Sequence, residues 1–394
     1  MKAEKVSTFL QSRIDAKDFP SAVYLVAEKG EIVFEDALGF AVVEPEKIEA
    51  NLDTIYDLAS LTKPLVTGLL CAKLIESGEI CLSDKIGDYF AEFETNEKQK
   101  ITIENLLTHT SGFQSWFPFY LFDNLKEEKT SKETVIHEVS TQMLENPINS
   151  KVVYSDYNFL ILGFLLEQIY QRTLNEIAIS EIFQPLNLRR TFFNPPKKLQ
   201  KEMSANEFGN YYEKKMCLEL GYFNSFYDQR DYKLARESGT DVMNYKWRDY
   251  EIWGEVHDAN CLFMNGASGH AGLFSTAKET FKIAQQFLAE ETVLLQPETC
   301  KLFRTNYTEN FNEARSIAFQ LAATKDSTAS DALAKDSFGH LGFTGTSLWI
   351  EPETERIFIL LTNRTHARDL PFANIHDTRR AFHELAAAIL DERK

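Results

Sequence analysis

Apolar positions in this chain change period between its ends and its middle. Residues 5–16 carry helical spacing. Then Ala22-Val23-Tyr24-Leu25-Val26-Ala27 forms an unbroken apolar run, followed by Glu28-Lys29-Gly30-Glu31 and a second β-rich run from Ile32 to Phe40. Two such runs around a short Gly-containing turn predict an antiparallel hairpin. The other end mirrors this. Residues 346–350 and 356–362 flank a Glu351–Glu355 turn containing Pro352, residues 338–344 read as a short strand before them, and a helix from about Arg379 to Leu390 closes the chain. Between the ends, helical spacing dominates at 64–77, 102–108, 133–145, 156–171, 174–183 and 277–289. The pattern predicts an α+β fold: one antiparallel sheet built from both chain ends, flanked by helices, with a helical region inserted. The expected organisation is a single domain over 1–394, with a sheet part at about 1–80 plus 270–394 and helices and loops at about 81–269. Residues 204–256 are polar, rich in Tyr and Trp and poorly periodic, which fits a substrate-facing loop or a surface insertion.

Composition narrows the partners. An apolar content of 44% with 30 Phe among 394 residues belongs to a packed globular chain. A formal charge of −17 argues against nucleic acid or an anionic membrane as partner. The best candidate for a membrane span, Phe159 to Ile169, is interrupted by Glu167 and Gln168. Met1 to Ala16 lacks the apolar centre of a secretory signal, so the expected location is the cytoplasm, with the periplasm or exterior as the alternative if a leader was removed. The five cysteines are odd in number and scattered without a C-x-x-C pair. They read as free thiols in a reducing compartment, with neither zinc nor a disulfide framework.

The candidate chemistry begins at Ser60-Leu61-Thr62-Lys63-Pro64. Residues three apart share one face of a helical turn, and a lysine there can serve as proton partner to a nucleophilic serine. Pro64 suits the opening turn of a helix, where Ser60 meets orphan N–H groups and the positive end of the dipole. S-x-x-K alone occurs about once by chance in a chain this long. A second copy, Ser275-Thr276-Ala277-Lys278, is accounted for by a capping box formed by Thr276 and Glu279. Two further segments add weight to Ser60. Tyr154-Ser155-Asp156 stands at a loop-to-helix junction, where capping explains Ser155 or Asp156 and leaves Tyr154 without a role. Phe338-Gly339-His340-Leu341-Gly342-Phe343-Thr344-Gly345-Thr346 is a strand whose glycines permit close approach and whose edge N–H groups could bind an oxyanion.

S-x-x-K, Y-S-[DN] and H-x-G in this order resemble the serine β-lactamase/DD-peptidase superfamily, in its class C β-lactamase-related, penicillin-binding-protein-like and esterase-like branch. Leu106–Phe113, Gly269–Ala277 and Leu361–Arg364 resemble stretches typical of that branch, and Trp247-Arg248 and Gly254–Asp258 resemble a subgroup of it. The resemblance covers nearly the whole chain. It implies a five-stranded antiparallel sheet flanked by helices, plus an all-helical subdomain. It also implies Ser60 as the acylated nucleophile, Lys63 as its proton partner with a pKa lowered by burial and neighbouring charge, and Tyr154 as a proton shuttle. The N–H groups of Ser60 and Phe343 would form the oxyanion hole, with Asp156, His340 and Gly342 supporting the site.

Two departures bear on substrate. Asp156 stands where β-lactamases commonly have Asn, and a carboxylate cannot donate to a substrate carbonyl. His340 stands where they have Lys, and a histidine is charged only part of the time near neutral pH. The expected activity is therefore hydrolysis of carboxylic esters or small amides and peptides, without metal or cofactor. The alternatives are a β-lactamase or DD-carboxypeptidase, and a non-catalytic or assembly-forming member of the same fold. His257, Asp258 and His270 show no recognised zinc spacing and read as loop organisers. His109 reads as a buried structural histidine.

Overall fold

The two ends of the chain meet in one sheet. The structure, a computed structural model, describes residues 3–94, 97–121, 130–222 and 245–393. Its strands are, in chain order, β1 Ser21–Glu28, β2 Glu31–Val42, β3 Ile48–Glu49, β4 Tyr56–Asp57, β5 Phe192–Phe193, β6 Ala205–Phe208, β7 Glu251–Trp253, β8 Leu273–Ser275, β9 Gln320–Leu321, β10 Phe338–Leu341, β11 Ser347–Glu351 and β12 Arg356–Thr362. The main sheet runs β3-β2-β1-β12-β11-β10-β9 with every neighbour antiparallel. Both expected hairpins form, and β1 pairs with β12 from Ala22 opposite Thr362 to Glu28 opposite Arg356.

The main sheet has seven strands where the resemblance implied five. The two-residue strands β3 and β9 lie at its edges, and pairs this short leave no period-2 signal in a sequence. The inserted region is not purely helical either. Strand β8 pairs with β4 and β5 in a small sheet, and β6 pairs with β7 in another.

Both faces of the main sheet are covered, which explains why β1 and β12 read as continuous apolar runs. Val23, Leu25, Ala27, Ile357, Ile359 and Leu361 face the larger core, shared with the helices around residues 63–77 and 156–170. Tyr24, Val26, Phe358 and Leu360 face a second core beneath the helices Ala3–Asp15 and His376–Asp391. Side chains alternate across a strand, so burying both sides requires apolar residues at every position. Among the described residues no helix is long and apolar enough to cross a membrane.

Helix positions agree with the spacing, with local departures. The predicted helix over 64–77 is a π-helical turn, Lys63–Gly68, continuing into the α-helix Leu69–Ser77. The segment around 204–256 contains the helix Tyr211–Glu219, which its mixed polarity hid. Tyr227 and Tyr232, part of the aromatic content noted above, lie outside the described residues. The capping box proposed for Thr276 and Glu279 forms by half. Thr276 accepts the Glu279 N–H, but the Glu279 carboxylate turns to the N–H groups of Arg189 and Arg190, each at 2.8 Å.

Candidate active site

Ser60 sits in a single tight turn, Ala59–Leu61, that leads into the helix through Lys63. The turn is held in a conformation the sequence does not announce. Ala59 has φ +48°, in the left-handed region that a residue with a Cβ seldom occupies. Asp57 Oδ1 accepts the Ala59 N–H at 2.9 Å, and Thr62 Oγ1 donates to the Ala59 carbonyl at 2.6 Å. That carbonyl points along the turn toward Thr62. The N–H of the same trans peptide, which belongs to Ser60, therefore points the opposite way, out of the helix start.

Lys63 is fully buried, and its ammonium meets Ser60 Oγ at 3.0 Å, the His270 carbonyl at 3.0 Å and Asp156 Oδ1 at 2.7 Å, with the Tyr154 hydroxyl also in reach. Burial opposes the charge. The Asp156 carboxylate and the Tyr154 oxygen more than offset that penalty, so the Lys63 pKa is raised above the usual lysine value. The expected lowering is thus overturned by an ion pair that only the tertiary structure creates, and Lys63 rests as an ammonium.

The Tyr154 hydroxyl lies within hydrogen-bonding reach of both Ser60 and Lys63. Burial raises its pKa, and the Lys63 charge partly counters the shift, so it rests as a phenol. Its ring is fixed on several sides, with the His109 ring at 4.7 Å, the His340 ring at 5.7 Å and the Arg315 guanidinium at 5.7 Å. His109 is buried as expected and does local work. Its Nδ1 accepts the Ser155 N–H at 3.1 Å and meets the Asn158 amide at 2.9 Å, fixing the backbone that carries Tyr154. Ser155 is the N-cap residue of the helix Asp156–Tyr170, but its hydroxyl donates to the Gln114 carbonyl and does not cap.

On the sheet side, β10 ends at Leu341, and Gly342–Thr346 form a turn closed by Gly342 N–H to Thr346 O at 2.8 Å. Phe343 is therefore in a turn and not on a strand edge, and β9 covers the start of β10. Arg379 donates to the Gly342 carbonyl at 2.9 Å and Arg364 to the Phe343 carbonyl at 2.6 Å. The Phe343 N–H belongs to the peptide whose carbonyl Arg379 holds, so it points away from that arginine. Thr344 Oγ1 and Thr346 Oγ1 donate to the carbonyls of Asp57 and Leu58 at 2.8 and 3.0 Å, stapling this turn to the serine turn. A side chain at Gly342 would run into Thr346 and the Leu58 carbonyl. His340 is buried, with Nδ1 on the Leu341 carbonyl at 2.9 Å. Desolvation, then the charges of Lys63 and Arg315, push its pKa well below the usual histidine value. It is a neutral imidazole near neutral pH, not the partial cation expected.

A cavity of about 240 Å³ opens over these groups. Ser60, Tyr154, Asp156 and Phe343 line it, together with Asp57, His257 and Asp258. Trp116 also lines it, with Tyr212, Glu213 and Met216 from the 204–256 segment expected to face substrate or form an insertion. His257 donates its N–H to Asp57 Oδ2 at 2.9 Å, and its ring meets Glu207 at 2.9 Å. The buried Arg248 guanidinium donates to the carbonyls of Val256 and His257, which gives the Trp247-Arg248 motif a structural task.

Ligand atoms of Asp156, Asp258 and His270 lie within 4.8 Å of one another, a spacing that would suit a metal. The cluster already has an internal account. Lys63 supplies the positive charge at Asp156, while Asp258 accepts His270 Nε2 at 3.1 Å and the Cys261 N–H at 2.7 Å. Prolonged EDTA treatment should therefore leave hydrolysis unchanged. Activity lost to the chelator and restored by zinc or manganese would assign the cluster to a metal.

A beta-lactamase family profile matches residues 6–381. A protein of Salmonella agona (strain SL483), provisionally named D-alanyl-D-alanine carboxypeptidase, is 29% identical over 395 aligned residues, covering 95% of this chain and 84% of that protein. Among solved structures, EstCE1, described as a hydrolase with promiscuous acyltransferase activity, superposes with TM-score 0.70 at 19% identity, covering 97% of this chain and 98% of its own. A class C beta lactamase superposes with TM-score 0.71 at 12% identity, covering 98% and 97%. At these identities the two structures speak for the fold.

Proposed function

The chain belongs to the beta-lactamase family, and on that premise we propose that it is a serine hydrolase whose acyl-enzyme forms on Ser60. The observation that carries this reading is the contact of Ser60 Oγ with the Lys63 ammonium at 3.0 Å, with the Tyr154 hydroxyl in reach of both, on the wall of a cavity. A member of the fold that had lost catalysis would have no need to keep this buried, charged assembly, because an unused buried ion pair is seldom stabilising.

In the proposed reaction, Ser60 Oγ attacks the substrate carbonyl, and the oxyanion is met by the N–H groups of Ser60 and Phe343. Preorganised donors of this kind are each worth about 3–4 kcal/mol in the transition state. Lys63 rests as an ammonium and Tyr154 as a phenol, so the Asp156 carboxylate is the acceptor at the end of the relay: Tyr154 takes the serine proton as it passes its own through Lys63 to Asp156, and the proton returns by the same path. Tyr154 then gives a proton to the leaving group and later takes one from the water that attacks the acyl-enzyme. Asp156 and His340 support this machinery from either side.

The same two residues set the preference for esters and small amides over β-lactams. Asp156 is committed to Lys63 as an acceptor, and neutral His340 offers no cation to a drug carboxylate. Short-chain p-nitrophenyl esters should be turned over with a kcat/KM much higher than that for a chromogenic cephalosporin. An equal or higher value on the cephalosporin would instead make the protein a β-lactamase.

A further inference from the structure

The charge lining the cavity has one sign. Asp57, Asp156, Glu213 and Asp258 face it, and among its described lining residues His257 is the single basic side chain. Three of the four acids have two donors or a cation. Asp57 accepts the N–H groups of Ala59 and His257, Asp156 binds Lys63, and Asp258 binds His270 and the Cys261 N–H. Glu213 differs. It is 5% exposed, and Oε1 accepts the Ala259 N–H at 2.9 Å, but Oε2 makes no well-formed hydrogen bond. The Tyr120 hydroxyl, a neutral group, lies within hydrogen-bonding reach of the Glu213 carboxylate. Arg248, the cation nearest in kind, is spent on Asn210, Glu255 and the carbonyls of Val256 and His257. Desolvation and then the neighbouring Asp258 push the Glu213 carboxyl up to about 7, and the charges of His257 and Arg248 counter this only in part.

A buried carboxyl that no described cation bonds directly, on the wall that also holds the nucleophile, is suited to a cation brought by the substrate. Glu213 shares its helix with Tyr212 and Met216, which also line the cavity, and Trp116 adds a further apolar surface. The rest of that wall can take a small aliphatic or aromatic group. At about 240 Å³ the cavity is small enough to hold a bound cation close to the scissile bond.

We propose that Glu213 binds a substrate ammonium, making the preferred substrates amino-acyl esters, amides or short peptides with a free amine next to the scissile carbonyl. The same acidic lining disfavours substrates that carry a carboxylate close to the scissile bond, as β-lactams and peptides cut at a free C-terminal residue do on the leaving-group side. This rests on the serine-hydrolase reading of Ser60 and names the substrate class for it.

The test uses three benzyl esters of nearly equal shape: alanine benzyl ester (both enantiomers), benzyl isobutyrate, in which methyl replaces the ammonium, and monobenzyl methylmalonate, in which a carboxylate replaces it. Wild-type kcat/KM should fall in that order. An ammonium also activates an ester intrinsically, so the deciding quantity is the alanine-to-isobutyrate ratio in Glu213→Gln, a variant that retains an acceptor for the Ala259 N–H. That ratio should drop at least tenfold, mainly through KM. An unchanged ratio with isobutyrate still hydrolysed would overturn the ammonium site alone. All three esters inert in the wild type, with no fluorophosphonate adduct, would instead overturn the hydrolase reading beneath it. Should the variant not fold, isopropylammonium is expected to inhibit wild-type isobutyrate hydrolysis competitively and more strongly than isopropanol. Equal inhibition by the two would count against the site.

Discussion

Ser60→Ala should lower ester turnover by about 10⁶-fold, the order found when a serine nucleophile is removed from a preorganised site, while leaving the fold in place. The second half of that statement follows from the contacts. Deleting the hydroxyl takes one partner from Lys63, but the Asp156 carboxylate at 2.7 Å and the His270 carbonyl at 3.0 Å remain. The buried ammonium is not orphaned, so the large penalty of an unpaired interior charge does not arise. The turn itself is held by Asp57 and Thr62, neither of which touches the Ser60 side chain. A variant that lost activity and melted far below the wild type would point to a structural serine.

Tyr154→Phe is the next largest expected effect. The substitution keeps the ring, and with it the packing against His109, His340, Arg315 and Lys63. It removes only the hydroxyl that reaches Ser60 and Lys63. General acid–base groups contribute roughly 10²–10⁴-fold, so kcat should fall within that range. A hydroxyl that merely completed a hydrogen bond would cost about 1 kcal/mol of stability and leave the rate nearly intact. A stable Phe variant keeping more than about a tenth of wild-type kcat, well short of the expected loss, would remove Tyr154 from the proton path.

Much of the frame was legible because the chain states it locally. Apolar runs at 22–27 and 356–362 mark strands buried on both faces, and they pair across the whole length of the chain. Ser60 and Lys63 were legible through spacing, since three residues of helical turn bring the two side chains together. What escaped has long-range causes. The left-handed Ala59 is imposed by Asp57 and Thr62, and alanine carries no mark of it. The direction of the Lys63 shift depends on Asp156, which is 93 positions away in the chain and 2.7 Å away in space. His340 was expected to be charged part of the time, and it is neutral because burial desolvates it and the charges of Lys63 and Arg315 lie close by. Glu213 lies in the 204–256 stretch that fitted a substrate-facing loop, but mixed polarity with no period left nothing to single it out. The edge strands β3 and β9 are two residues each, too short for any alternation to show.

The two S-x-x-K copies allow a direct test of the central claim. Ser60 is half-buried on the cavity wall beside Lys63, whereas Ser275 is fully buried at the end of β8 with its hydroxyl on Thr191 at 2.8 Å. A fluorophosphonate probe followed by peptide mass spectrometry should place a single adduct on Ser60, and labelling should vanish in Ser60→Ala. An adduct on Ser275, or undiminished labelling of the Ser60→Ala protein, would contradict the account.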